Sequence, residues 1–339
     1  MKKIRLGHVG SLHDHSSAKL ACVLKFPEIF EVVGWVPENK EREMLLRNSF
    51  PYCRVPVMTR ERLLEAGVDA VLVEGFELDL IVEAEYWLSR GVHVHVDKPA
   101  GGSAEKFAEV LALAKRNGLV FQMAYMYRYH PGFRDCMNLI RGGRLGEIYE
   151  VDALMNTGHP AEKRAWLGQF AGGILFFLGC HMLDLILQIQ GMPERVTSYL
   201  RSTGFNGVQS VDHAAVILEY PKGISIARAT ATEINGYGRR QLVVCGSNGT
   251  YEIEPLECPM RAYFTESAGA RTFADCRREQ SLQQLAPEER YDEMMQSFAS
   301  FIRGEKQNPY SYEYELTLHR LLLYCCGQTQ IDWKQPVIL

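Results

Sequence analysis

The chain opens on a short apolar run, Ile4–Val9, and then changes period. A helical pattern follows from about residue 18, with Ser16 or Ser17 placed to cap it. From there the two periods alternate. Apolar runs at 31–36, 55–58, 68–73, 92–96 and 119–124 read as strands. Helical patterns fill 39–48, 60–66, 80–90 and 103–116, with Thr59 and Ser103 as caps. Six strands interleaved with helices predict a parallel sheet covered on both faces, an N-terminal Rossmann doubly wound fold of the α/β class.

The pattern changes after residue 125. A helix is predicted over Pro131–Arg141, a strand over 148–155 and a long apolar helix over 172–190. From 195 to about 264 strand-like runs follow one another without helices, which gives a mostly antiparallel open sheet. Two helices, 287–303 and 312–327, close the chain. With 339 residues the chain exceeds one ordinary core. The division read from the pattern is a dinucleotide-binding-like domain, 1–125, and an α+β substrate and oligomerisation domain, 126–339.

Composition narrows the class. The chain is 47% hydrophobic and 23% charged, as soluble globular proteins are. A net charge of −4 without a basic block argues against nucleic acid or an anionic membrane as partner. No apolar run has spanning length, and Met1 leads into a strand without a signal-peptide core. Nine cysteines lie scattered without a C-x-x-C pair, and Cys325 and Cys326 read as packed thiols; a reducing, cytoplasmic setting is expected.

Candidate chemistry begins at Lys98. It stands between Asp97 and Pro99 where a buried strand ends, and ligands of open α/β sheets sit outside such ends. A surface lysine at a strand exit is the plainer account. The turn after the first strand should cradle a pyrophosphate with G-x-G-x-x-G, but the register gives Gly10, Leu12 and His15. Leu12 falls where the phosphates would rest, and the second strand ends in Pro37 with Glu38 one step late. A nicotinamide dinucleotide would need a rearranged loop, held by Ser11 and free amides of the helix start. His13, Asp14 and His15 at the mouth of the sheet, with His95 on a nearby strand, suit a zinc-like ion. Histidines that merely fill the space of missing glycines in a hydrophilic loop are the plainer account and outweigh the metal reading. Tyr127, Arg128 and His130 form either a pocket wall or a linker. His181 and Asp184 share a helix face. A lone helical histidine is more often a satisfied core residue than a site.

These motifs together resemble the Gfo/Idh/MocA family of NAD(P)-dependent oxidoreductases. Asp97-Lys98-Pro99 stands for its Glu-Lys-Pro, residues 128–131 for its Arg-Phe-x-Pro turn, 142–146 for its glycine turn, and 172–184 for its G-x-H-x-x-D helix. The resemblance implies hydride transfer between nicotinamide and a sugar, polyol or similar hydroxy compound. It places Lys98 beside the reacting hydroxyl and His181 as acid/base. It puts Tyr127, Arg128 and Asp184 on the substrate, and Gly10, Ser11, Leu12, Glu38, Asp97, Lys98 and Pro99 on NAD or NADP. Glu38 near a ribose would repel a 2′-phosphate and favours NAD. The family also implies a homodimer or homotetramer built through the C-terminal sheet. The chain departs from the pattern at Phe177 (often aspartate), at 75–80 and at Met126. Two other readings therefore stand beside the enzyme: a ligand-binding protein without redox turnover, and a metal-dependent activity using the His13/His15 loop.

Overall fold

The computed structural model describes residues 2–257, 259–267, 276–337 and 339. The chain divides into two units, 1–126 with 288–319 and 335–339, and 127–287 with 320–334. Among the described residues no helix is long and apolar enough to cross a membrane.

In the first unit, five strands form one parallel sheet. They are β1 Ile4–Val9, β2 Phe30–Val36, β3 Ala70–Val73, β4 His93–Val96 and β5 Phe121–Met123, in the order β2-β1-β3-β4-β5. All four residues of β3 are buried, as befits a parallel strand covered on both faces. The connecting helices are α1 Ser16–Leu24, α2 Lys40–Leu46, α3 Arg60–Glu65, α4 Leu80–Leu88 and α5 Ala104–Arg116. Asn39, Thr59 and Ser103 each accept a backbone N–H two residues into α2, α3 and α5.

Two local expectations are corrected. Ser16 does not cap α1; it opens the helix, and its hydroxyl turns inward to His8 Nε2 (2.9 Å) and the Tyr52 hydroxyl (2.8 Å). Residues 55–58 make no strand, only a bridge from Val57 to Trp35. The Pro56 carbonyl accepts the Trp35 N–H, but proline has no donor to carry a ladder onward. The sheet thus has five strands rather than six. Strand order reverses at β1, so the crevice for a ligand opens past the carboxyl ends of β1 and β3. Gly10 permits the close approach there. Its φ is +88°, and a Cβ would lie 2.6 Å from the Gly75 nitrogen.

The second unit starts with α6 Pro131–Arg141 and carries an eight-stranded sheet. Its strands are β6 Ile148–Asn156, β7 Arg195–Arg201, β8 His213–Tyr220, β9 Gly223–Thr230, β10 Gln241–Gly246, β11 Gly249–Ile253, β12 Ala262–Glu266 and β13 Cys276–Glu279. The order is β13-β12-β11-β10-β6-β9-β8-β7, antiparallel throughout except for β6 on β9. A short helix, α7 Ala161–Trp166, precedes the segment read as one long helix. That segment is instead three pieces. Gly172 and Gly173 hold φ of +76° and +49°, a π-helical turn spans Leu175–Gly179, and α8 runs over Cys180–Gln190. Backbone at positive φ cannot sit inside a right-handed helix, so the glycine pair sets where the helix starts. α8 lies against β6 and β9.

The closing helices are α9 Asp292–Ile302 and α10 Tyr312–Cys325. α9 belongs with the first unit, which corrects the expectation that everything after 125 forms one domain. The cause is visible in its contacts. Asp292 pairs with Lys25 at the end of α1 (2.5 Å), and the Phe298 ring lies 5.6 Å from the ring of His95 on β4. The Tyr312 hydroxyl donates to the Leu119 carbonyl (2.6 Å) and accepts the Phe121 N–H (3.1 Å), fastening the start of α10 to β5.

Candidate functional site

The loop after β1 is closed by a side chain from the end of β2. One Glu38 oxygen accepts the backbone N–H groups of Ser11 (2.5 Å) and Leu12 (2.9 Å), and the other accepts the Ser11 hydroxyl (2.7 Å). Arg42 donates to the Ser11 carbonyl (2.6 Å) and secures the loop from the other side. The His13 N–H goes to the Glu74 carbonyl (3.1 Å) and the His15 N–H to His13 Nδ1 (3.2 Å). The helix-start amides expected to be free for phosphate are therefore engaged at Ser11, Leu12, His13 and His15. The loop thus forms a cradle of donors around one carboxylate, that of Glu38.

Beside the cradle lies a cleft of about 290 Å³ past the carboxyl ends of β1, β2 and β3. Gly10, Leu12, Pro37, Glu38, Gly75 and Phe76 line it, with Arg60, Asp79 and Glu83 farther along. This is the switch-point crevice where doubly wound sheets take nucleotides. Its donors fit the pyrophosphate of a nicotinamide dinucleotide once Glu38 turns away from Ser11 and Leu12.

Under the loop a charged cluster is buried at the ends of β3 and β4. Lys19 of α1 donates to Glu74 Oε1 (2.9 Å) and Asp97 Oδ2 (2.7 Å), with all three side chains fully buried. His13 Nδ1 stands 2.8 Å from the same Asp97 oxygen, and His15 Nδ1 stands 3.3 Å from it. Asp97 Oδ1 accepts the Lys98 N–H (2.7 Å), which fixes the turn that carries the lysine. Lys98 itself is fully buried, not a surface residue. Burial drives the Glu74 carboxyl well above its ordinary range, because Lys19 is shared with Asp97. Burial also works against a charged Asp97, yet its neighbours, His13 first and then Lys19, outweigh it and hold that carboxyl well below the usual range. His15 is pushed down chiefly by burial, so its ring is neutral near pH 7. His95 is not part of the cluster; its Nδ1 bonds Gln122 Oε1 (2.9 Å).

The remaining candidates lie in the second unit. Arg128 grips Asp184 through Nε to Oδ2 (2.9 Å) and Nη2 to Oδ1 (2.9 Å), both side chains being buried. Gln188 donates to the same carboxylate (3.0 Å). The pair ties the turn Met126–Tyr129 to α8. His181 is buried on α8 with its ring 5.1 Å from Tyr127, edge to face. The Tyr127 hydroxyl bonds Glu257, which also pairs with Arg240 (2.5 Å) and Tyr237. Phe177, where the family often has an acid, is packed between Trp166 (5.3 Å) and Phe170 (6.3 Å).

Sequence reasoning passed over Lys19 and Glu74. Lys19 looks like an ordinary helix lysine, and nothing local shows that its face is buried. Glu74 did carry a signal. It is the first polar residue after an all-apolar strand, at the strand end where ligands gather.

Comparisons with known proteins agree with this architecture. Residues 133–252 match the GFO/IDH/MocA C-terminal domain. The oxidoreductase YdgJ of Escherichia coli, itself uncharacterized, is 31% identical over 166 residues, 48% of this chain and 47% of its own. The scyllo-inositol 2-dehydrogenase (NADP(+)) IolW of Bacillus subtilis is 28% identical over 183 residues, 52% of this chain and 49% of its own. The matched stretch thus spans about half the length of these relatives. An NAD-binding oxidoreductase from Klebsiella pneumoniae superposes with a TM-score of 0.79 at 14% identity, over 99% of this chain and 100% of that one; the likeness is one of fold. Taken with the motifs at 97–99, 128–131 and 172–184, these matches show a chain similar to Gfo/Idh/MocA proteins, with residues 133–252 matching that family's C-terminal domain.

Proposed function

We propose that the protein is a nicotinamide-dinucleotide-dependent oxidoreductase acting on a hydroxyl-bearing carbon of a sugar, polyol or related compound. The observation that carries this reading is the anion cradle at Ser11 and Leu12, set beside a cleft at the switch point of a parallel sheet. Relatives named as inositol, D-xylose and dihydrodiol dehydrogenases support the reaction class.

When bound, the nicotinamide ring supplies hydride transfer; the chain supplies the rest. Lys98, on a turn pinned by Asp97, offers a positive charge that stabilises a developing alkoxide. His181 is the residue placed by motif to take the hydroxyl proton, an imidazole being suited to that near neutral pH. The Arg128–Asp184 pair fixes α8 and so positions the helix that carries His181. Both NAD and NADP are candidates, and Glu38 beside the cleft favours NAD. Assembly into a homodimer or homotetramer through the second unit's sheet belongs to the same reading, since Tyr149, Tyr199 and Ile224 are exposed on its strands.

The test is a panel of sugars and polyols offered with NAD and with NADP, followed by nicotinamide absorbance. Turnover with at least one, lost in Lys98→Met while dinucleotide binding persists, supports the reading. Absence of dinucleotide binding removes it. Glu38 in the cradle and Phe177 in an aromatic cluster favour one other reading, a ligand-binding protein without turnover. Saturable dinucleotide binding with no hydride transfer to any of the panel would select it.

A further inference from the structure

Three nitrogen and oxygen atoms under the first loop stand as the corners of a metal site. His13 Nδ1, His15 Nδ1 and an Asp97 oxygen lie within 4.8 Å of one another. Two of the edges measure 2.8 and 3.3 Å. An ion with bonds of about 2.0–2.2 Å sets ligand-to-ligand edges of roughly 2.9–3.5 Å; one measured edge falls in that range and the other is 0.1 Å short of it, so small side-chain shifts would admit an ion.

The bonding of His13 supplies the second argument. Its Nε2 is 3.0 Å from the Lys98 carbonyl oxygen and 3.7 Å from Glu77 Oε1. Both are acceptors, so Nε2 carries a hydrogen. Asp97 Oδ2 stands 2.8 Å from Nδ1, the two joined by a hydrogen bond, and a metal ion between them would take the place of its proton. The His13 Nε2–carbonyl bond and the Lys19–Asp97 bond are the kind of outer-shell contacts that orient metal ligands.

We propose that His13, His15 and Asp97 bind one divalent first-row metal ion of the zinc or cobalt type. Two imidazoles and a carboxylate suit such ions over calcium or magnesium. His15 is the member that reaches solvent, its side chain being 16% exposed, so the ion enters and meets outside ligands on that side. The claim does not depend on the redox reading, and its readout is metal content rather than activity.

The full-length protein is stripped with a chelator, dialysed against cobalt(II) or zinc(II), and analysed for metal. About one equivalent per chain is expected, with visible cobalt(II) absorption bands typical of low coordination number. His15→Gln should lose the bands and most of the bound metal, whereas Asp14→Asn, next to the site, should keep both. Circular dichroism establishes that each variant is folded. Wild-type protein that retains less than about a tenth of an equivalent overturns the proposal. Undiminished binding in folded His15→Gln overturns it as well.

Discussion

Glu38 hydrogen-bonds the backbone of Ser11 in the loop where a Rossmann fold would place its glycines. The contact changes what the missing glycines mean. The amides of Ser11 and Leu12 that the proposed dinucleotide would need are held by a tethered carboxylate. Because Glu38 adds three acceptor contacts and a like charge, a dinucleotide has to displace it. Glu38→Ala should therefore tighten binding of NADH by roughly tenfold, about 1.4 kcal/mol. Calorimetric titration of both proteins measures this. Weaker binding in the variant would make Glu38 a ribose ligand rather than a competitor.

The Arg128 and Asp184 side chains are each about 1% exposed and hold each other through forked hydrogen bonds from Nε and Nη2 to both carboxylate oxygens. Arg128→Met strands a buried carboxylate and should cost about 3–5 kcal/mol, whereas Arg128→Met combined with Asp184→Leu should recover most of it. Denaturant unfolding of the single and double variants decides. Equal losses in both would mean that the charges are not paired in solution.

Two glycines with positive φ separate strain from crowding. Gly191, at φ +74°, has nothing within 4 Å of an added Cβ, while at Gly173, φ +49°, a Cβ would sit 2.1 Å from the Val211 carbonyl oxygen. Gly191→Ala should cost about 1 kcal/mol and Gly173→Ala at least twice that, because the loop must move off β8's approach. Thermal unfolding of the two variants compares them directly; the reverse order would contradict this account of the turn before α8.

Acid sensitivity follows from histidines buried in the neutral form. Burial lowers His8, His95 and His319 to about 3. Their unfolded value is near 6.5, so between those limits the unfolded chain binds protons that the native one refuses. Stability is full above about pH 6.5 and falls as pH drops, by up to about 1.4 kcal/mol per pH unit for each histidine. Glu74 acts in the opposite sense: its raised carboxyl adds stability at low pH that is lost as pH rises. The three histidines outnumber it. Urea midpoints should therefore decline steeply below about pH 6, and a flat profile would contradict their burial as neutral rings.

Much of the fold was legible because periodicity reports burial. Pro131–Arg141 and the caps at Thr59 and Ser103 fall where the pattern puts them. What the pattern hid was set by contacts distant in sequence. Residues 55–58 look like a strand until Pro56 meets Trp35, and α9 looks like part of the second unit until Asp292 meets Lys25. At the candidate site, Lys98, Asp97 and the altered loop were visible as residues. Lys19 and Glu74 were not, because a buried ion pair depends on which faces two elements turn toward each other. Glu38 was seen as an acid one step late, but its turn onto Ser11 needed coordinates.

The proposed activity requires a nicotinamide dinucleotide to enter the cleft beside Glu38. The most direct measurement is titration of the intact protein with NADH and NADPH, followed by energy transfer from tryptophan to the reduced nicotinamide. Saturable binding of at least one, below millimolar concentration and strengthened in Glu38→Ala, is the predicted result. No binding of either at millimolar levels, in wild type and Glu38→Ala alike, would contradict it.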